Sequence, residues 1–227
     1  MEPNTPSTNP VAENSNYENF DLYYSNRLTA LTNAADADIV GLLTAAGYPP
    51  AIIAAKTAEL EALKKLDDLQ KKEYGEQYQA TKDFDTLAAS LHPGYLNHVK
   101  WGKLIFEDDL AALNTLGLKG RRLQAESGYC NQALLFYNGV LTNATYKAAI
   151  LERGITEAAL QAGQTGFTNL KKMIPVKAKE TGEAQQATST RDDAWEAFDE
   201  WFLKFKKYAI LALSDQPQLR EKMGWKE

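Results

Sequence analysis

Two histidines, a single cysteine and a few crowded carboxylates are the side chains of this 227-residue chain best suited to chemistry. His92 and His98 stand six residues apart, which puts them on different faces of a helix; a helical metal pair needs a spacing of three or four. Glu-x-x-His does not occur, so the di-iron pattern of helical bundles is missing. His98 falls at a core-facing position and is expected to be a partly buried, structural imidazole. Cys130 has no partner for an intramolecular disulfide and reads as a packed thiol on a helix. Asp192, Asp193, Glu196, Asp199 and Glu200 crowd one helix start, with Asp85 as the counterpart of Asp192, and Glu107-Asp108-Asp109 form a smaller group. Such carboxylates can exchange protons or hold a cation. They also favour a helix N-terminus and solubilise one face, and that is the reading adopted. Gly-x-Ser-x-Gly, Gly-rich nucleotide loops and paired cysteines are absent. No catalytic residue, metal ligand or cofactor is expected.

The charge balance narrows the partners. A formal net charge of -5 and a pI near 5.3 disfavour nucleic acid, which demands a basic face to displace counterions. Lys64-Lys65, Lys171-Lys172 and Lys204 to Lys207 are local clusters interleaved with acids or aromatics, as on solvated helix faces. No stretch approaches the ~18 apolar residues of a membrane span, and the N-terminus lacks the apolar core of a signal peptide. The expectation is a cytoplasmic protein. Asn143-Ala144-Thr145 fits the glycosylation sequon but reads as a helix start.

The elements that position these residues repeat. Lys72-Glu73-Tyr74-Gly75-Glu76-Gln77-Tyr78-Gln79-Ala80-Thr81 returns as Lys179-Glu180-Thr181-Gly182-Glu183-Ala184-Gln185-Gln186-Ala187-Thr188, seven of ten residues matching at an offset of 107. The offset extends from 47 to 119 with twenty identities in seventy-three positions and no gap. A tandem duplication of a domain-sized unit follows. Residues 1–16, with three prolines and little to bury, read as a disordered arm; the first unit covers 17–120 and the second 121–227.

Within each unit the apolar periodicity predicts three helices. Helix A spans about 18–46, with a weak point at Asn33 to Asp38 where Asp36 or Asp38 could cap a new start. Gly47 and Pro49-Pro50 end it. In the second unit Tyr129, Ala133 and Tyr137 play the same part, Gly154 is the stop and Thr156 the next cap. Helix B runs from about 50 to 74, and Pro175 is expected to kink or shorten its second copy. Helix C covers about 81–106 and 190–213, the second opening on Thr190 with Asp193 as a capping box. Trp195, Phe198, Phe202, Phe205, Ala209 and Ala212 form its stripe, widened by Trp201 and Tyr208. Three arms of about 25 residues, each about 35–40 Å long, make an up-down-up three-helix bundle, with Gly75 and Gly182 at the tip between B and C. The rival is that B and C form one bent helix through this segment, because an interior glycine costs only about 1 kcal/mol. Asp108 to Leu116 and Pro217 to Met223 are short closing helices, and Leu118 to Gln124 is the link.

The fold expected is therefore all-α, a tandem duplication of a three-helix bundle with a short closing helix in each unit. Its reading is a non-catalytic structural or protein-interaction module with an unspecified protein partner. Candidate interaction tips are Glu73, Gly75, Glu76, Gln79 and Thr81 with their counterparts Glu180, Gly182, Glu183, Gln186 and Thr188. The alternative is a small-ligand or metal-binding bundle whose interhelical pocket is formed by His98, Trp101, Trp195, Trp201, Phe205 and Tyr208.

Arg191-Asp192-Asp193-Ala194-Trp195-Glu196-Ala197-Phe198-Asp199-Glu200-Trp201, with Pro217-Gln218-Leu219 and Met223-Gly224, resembles the C-terminal part of a group of uncharacterised all-helical bacterial proteins. The similarity covers about a sixth of the chain. It implies a helical fold and carries no activity or site residue.

Overall fold

The computed structural model describes residues 19–225; the expected arm at 1–16 lies outside them. Among the described residues all regular structure is helical: α1 (Phe20–Asn33), α2 (Ala37–Ala45), α3 (Pro50–Ile105), α4 (Leu110–Thr115), α5 (Glu126–Thr142), α6 (Ala144–Leu151), α7 (Glu157–Ala212) and α8 (Pro217–Lys222). No single helix among them is long and apolar enough to cross a membrane.

Local chemistry accounts for the helix ends. The Asn19 side chain accepts from the Asp21 amide at 2.9 Å and opens α1. Helix A breaks where expected, and Asp36 caps the restart by accepting from the Asp38 amide at 3.0 Å. Gly47 adopts a left-handed φ of 90°, which releases the chain into Pro49 and Pro50 at the head of α3. The sequon asparagine is a cap: Asn143 accepts from the Thr145 and Tyr146 amides. Thr156 accepts from the Ala159 amide at 3.2 Å ahead of α7, and Asp109 accepts from the Ala112 amide at 2.9 Å ahead of α4. The closing helices are present with slightly tighter bounds than expected.

The turn expected between helices B and C does not exist. α3 and α7 are each continuous over 56 residues, so Gly75 and Gly182 are helical and the matching motif is not a loop tip. Nothing in the segment obliges the backbone to turn: it contains no proline, and one interior glycine is outweighed by the neighbours that carry the helix through. Lys72–Glu76, Gln79–Asp83 and Lys179–Glu183 are bonded one turn apart at 2.8, 2.6 and 2.7 Å across or beside the two glycines. Thr190 is likewise mid-helix rather than a cap, and α7 continues through Pro175, as α3 does through Pro93. A proline removes one backbone bond at about 3 kcal/mol, and the packed turns on either side hold the helix despite it.

Continuity changes the domain plan. The expected split into 17–120 and 121–227 gives way to two compact units, one made of residues up to Leu69 together with those from Thr188, the other of Gln70–Ala187. The first unit packs Tyr23, Leu31, Ile39 and Leu43 of α1 and α2 against Ile53, Leu60 and Leu63 of α3 and Phe198, Phe202 and Phe205 of α7. Met223 and Trp225 complete that core. The second unit packs Cys130, Ala133, Phe136, Tyr137 and Val140 of α5 against Phe84 and Tyr95 of α3 and Leu160, Phe167 and Leu170 of α7. The Cys130 thiol is buried and its pKa raised by that burial, as a packing residue.

One exchange between the units is chemically informative. In the first, Asp67 is only 2% exposed and faces Arg191 and Lys64, each at 3.8 Å. At an offset of 107 the corresponding residues are Ile174 and Phe84, which belong to the apolar core of the second unit. Removing one partner of a buried pair strands a charge, whereas a well-packed apolar pair of similar size avoids the desolvation cost. Arg191 keeps one side in water, which moderates the penalty. Asp67→Ala is expected to lower the stability by about 1–3 kcal/mol, and Asp67→Ile with Arg191→Phe to recover it or better, read from urea unfolding midpoints. A double variant no more stable than the single would show that the ion pair and the apolar pair are not interchangeable.

Candidate functional site

The two copies of the matching motif meet inside the second unit. Glu73, Glu76 and Glu180 bring their carboxylate oxygens within 4.8 Å of one another. Lys72 donates to Glu73 at 3.1 Å and to Glu76 at 2.8 Å; Lys179 donates to Glu180 at 3.3 Å and to Glu183 at 2.7 Å. The side chains of Glu73 and Glu180 are 13% and 15% exposed, and those of Glu76 and Glu183 47% and 45%. Counterpart residues thus occupy matched environments. The bonds to Glu76 and Glu73 raise the Lys72 pKa, and those to Glu183 and Glu180 raise that of Lys179. Three carboxylates this close could ligate a hard divalent cation through oxygen, and the two ammoniums already supply counter-charge. Gln79 is exposed and donates to Asp83. Gly75, Gly182 and Gln186 are exposed, Thr81 and Thr188 half-buried, and Thr188 belongs to the first unit.

The residues of the alternative pocket are divided. His98 and Trp101 belong to the second unit, and Trp195, Trp201, Phe205 and Tyr208 to the first. Trp101 and Tyr208 are 37% and 54% exposed, so the helix C face is less buried than its aromatic content suggests. In the first unit Trp195 packs on Phe20 and Tyr23, with ring centroids 4.9 and 4.4 Å apart. Trp201 stacks on Phe205 at 5.3 Å, and Tyr48 stands 5.1 Å from the Phe205 ring. Tyr48 also lines a cavity of about 530 Å³, walled by Leu31, Val40, Ile53 and Ala54. Asp199, one of the crowded carboxylates, accepts from Arg27 at 2.9 Å while the Arg27 guanidinium lies 3.5 Å above the Tyr23 ring. The separation of 172 residues gave no local pattern from which to infer that pair.

In the second unit Tyr95, Tyr129, Tyr137, Phe136 and Phe167 form an edge-to-face cluster. Burial pushes the Tyr95 and Tyr129 hydroxyls up to about 12 and raises Tyr137 as well, so all three remain protonated donors near neutral pH. The Tyr137 hydroxyl lies 3.1 Å from His98 Nδ1, and that of Tyr129 2.8 Å from His92 Nδ1. Nδ1 of a neutral His98 with its proton on Nε2 accepts from the Tyr137 hydroxyl. The half-burial of His98 follows from its core-facing position, whereas its tyrosine partner comes from α5 and left no local signal in the sequence. Gly163 makes room for that ring: a Cβ there would stand 2.3 Å from Tyr137 Cζ. Gly163→Ala is expected to cost about 1–3 kcal/mol, read as a lowered melting temperature; an unchanged melt would mean that the ring moves aside freely.

No family model, curated protein or solved structure matches the chain.

Burial holds the His98 pKa below its ordinary value of 6.5, so folding favours the neutral ring. The folded-state pKa is the lower one, and the associated stability is therefore present above about pH 6.5 and falls away as pH drops toward that depressed value. His98→Phe, the residue at the corresponding position 205, is expected to remove this part of the decline in stability between about pH 7 and 5. Urea titrations of both proteins across that range measure it, and unaltered pH dependence in the variant would refute the assignment.

Proposed function

We propose that this chain is a non-catalytic helical interaction module, built by tandem duplication of a three-helix unit with a short closing helix. What supports duplication is the recurrence of the element bounds. Pro50 and Ile105 lie 107 positions before Glu157 and Ala212, and Leu110 and Thr115 lie the same distance before Pro217 and Lys222. Buried positions recur as well: Leu60 with Phe167, Leu63 with Leu170, Tyr95 with Phe202, Leu116 with Met223. On this reading each bundle takes its third helix from the other copy.

The single observation that favours an interaction role is the paired motif. Glu73 and Glu76 of one copy come together with Glu180 of the other in the second unit, with Glu76, Gln79 and Glu183 open to solvent. Exposed i,i+4 ion pairs contribute little to stability, about 0.3–0.5 kcal/mol each, so packing alone gives weak reason for their recurrence. A partner with a complementary basic and amide surface would meet carboxylates in duplicate. Cross-linking in cells of the source organism followed by mass spectrometry tests this. Glu76→Lys with Glu183→Lys should abolish the cross-links made by the unaltered protein while leaving its melting temperature nearly unchanged. Retention of every cross-link, or turnover of a metabolite by the purified protein, would overturn the reading.

A second reading, small-ligand binding, is favoured by the cavity beside Tyr48 in the first unit. Its walls are mostly apolar, and a volume of about 530 Å³ falls within the range of small-molecule sites. An environment-sensitive naphthalene dye should brighten with the unaltered protein and lose that signal in Ala54→Trp; equal brightening in both would exclude this cavity.

A further inference from the structure

We propose that the cavity enclosed by the end of α3, the 118–124 link and α5 is a binding site for a compact phosphate-bearing anion. The cavity measures about 290 Å³, and its walls include Lys100, Lys103, Arg121 and Arg122 but no aspartate or glutamate. Lys100 and Lys103 stand three residues apart on α3, while the arginines come from the link. Among the described residues no carboxylate ion-pairs with any of the four. In a chain of net charge -5 this is a local reversal of sign, concentrated in a concave site. Four like charges around one cavity repel one another, and a ligand dianion relieves that repulsion while the cavity walls focus the field. Arginine supplies the fork of donors that fits phosphate oxygens, and lysine adds point charge.

The link is held in position rather than left loose. Gln132 donates through Nε2 to the Gly117 carbonyl at 3.2 Å and accepts from the Leu123 amide at 3.1 Å, closing the segment at both ends. Leu118 is buried in the core beneath it. Gly120 has a φ of 90°, and no heavy atom lies within 4 Å of where a Cβ would stand, so a ligand can approach the backbone there. Tyr95, Leu96 and Val99 form an apolar wall suited to the rest of a phosphate ester. Read alone, the link lacks the spacing of a phosphate loop; the lysines that complete the site lie about 20 residues earlier on α3. The site needs no partner at the paired motif and stands independently of the interaction reading.

A soluble phosphate ester and the headgroup of an anionic lipid present the same dianion, so two probes are needed. Calorimetric titration of the full chain with inorganic pyrophosphate tests the first. Flotation with phosphatidylcholine vesicles, with and without phosphatidic acid, tests the second. Binding of pyrophosphate alone assigns the site to soluble esters, and binding of the phosphatidic acid vesicles assigns it to a headgroup. In either case Arg121→Gln with Arg122→Gln should weaken binding about tenfold or more, while Lys204→Gln with Lys207→Gln, an equal loss of charge in the first unit, should leave it nearly unchanged. In the unaltered protein the bound probe should also shield Lys100 and Lys103 from acylation, a readout that needs no variant to fold. The proposal is overturned if neither probe binds, if the control pair loses as much affinity as the arginine pair, or if binding leaves the two lysines fully reactive.

Discussion

The unbroken run of backbone hydrogen bonds through Gly75 and Gly182 is the constraint on which this molecule depends. An α-helix pairs each amide with the carbonyl four residues earlier, and neither motif contains a residue that forbids that pairing. Without a turn, the halves of α3 cannot pack on each other. Pro50–Leu69 goes to one compact unit and Gln70–Ile105 to the other. The same holds for α7, and each core is completed by a stretch of the other long helix. Ile53, Leu60 and Leu63 find Phe198, Phe202 and Phe205; Tyr95 finds Phe167.

The two units solve one packing problem with different chemistry. The first keeps charge close to its core, in Asp67 with Arg191 and in Arg27 with Asp199. The second answers with Phe84 and Ile174, and places its polarity in tyrosine–histidine bonds at Tyr137 and Tyr129. Equivalent burial with unlike side chains is what a shared backbone plan tolerates, provided that volume is filled and each buried polar group finds a partner.

The candidate sites divide along a related line. The polar patch belongs to the recurring part of the chain and has near-equal exposure at its counterpart positions. The basic cavity depends on the link at 118–124, which follows the first closing helix, and on lysines at the end of α3. The cavity beside Tyr48 depends on the break between α1 and α2 and on the Gly47 turn that sets α3 against them. On the proposed duplication, a shared scaffold coexists with features peculiar to one unit.

Periodicity and local capping chemistry made much of the fold legible. The apolar stripes, the cap at Asp36, the stops at Gly47 and Gly154, the helix start at Asn143 and the closing helices are short-range consequences of residue type. The half-burial of His98 was legible too, from its place on an apolar stripe. The path through the middle of α3 and α7 was not. A glycine costs a helix about as little as it favours many turns, so the residues near 75 and 182 were compatible with both readings and the choice depended on distant packing. That choice displaced the expected tips to mid-helix, divided the six residues of the expected pocket between two units and drew Arg27 to Asp199. By itself, then, the sequence determined the helices, their caps and the recurrence at 107, because those depend on neighbours within a turn or two. Only the tertiary structure decided which half of each long helix faces which core, because that depends on burying apolar surface between segments far apart in the chain.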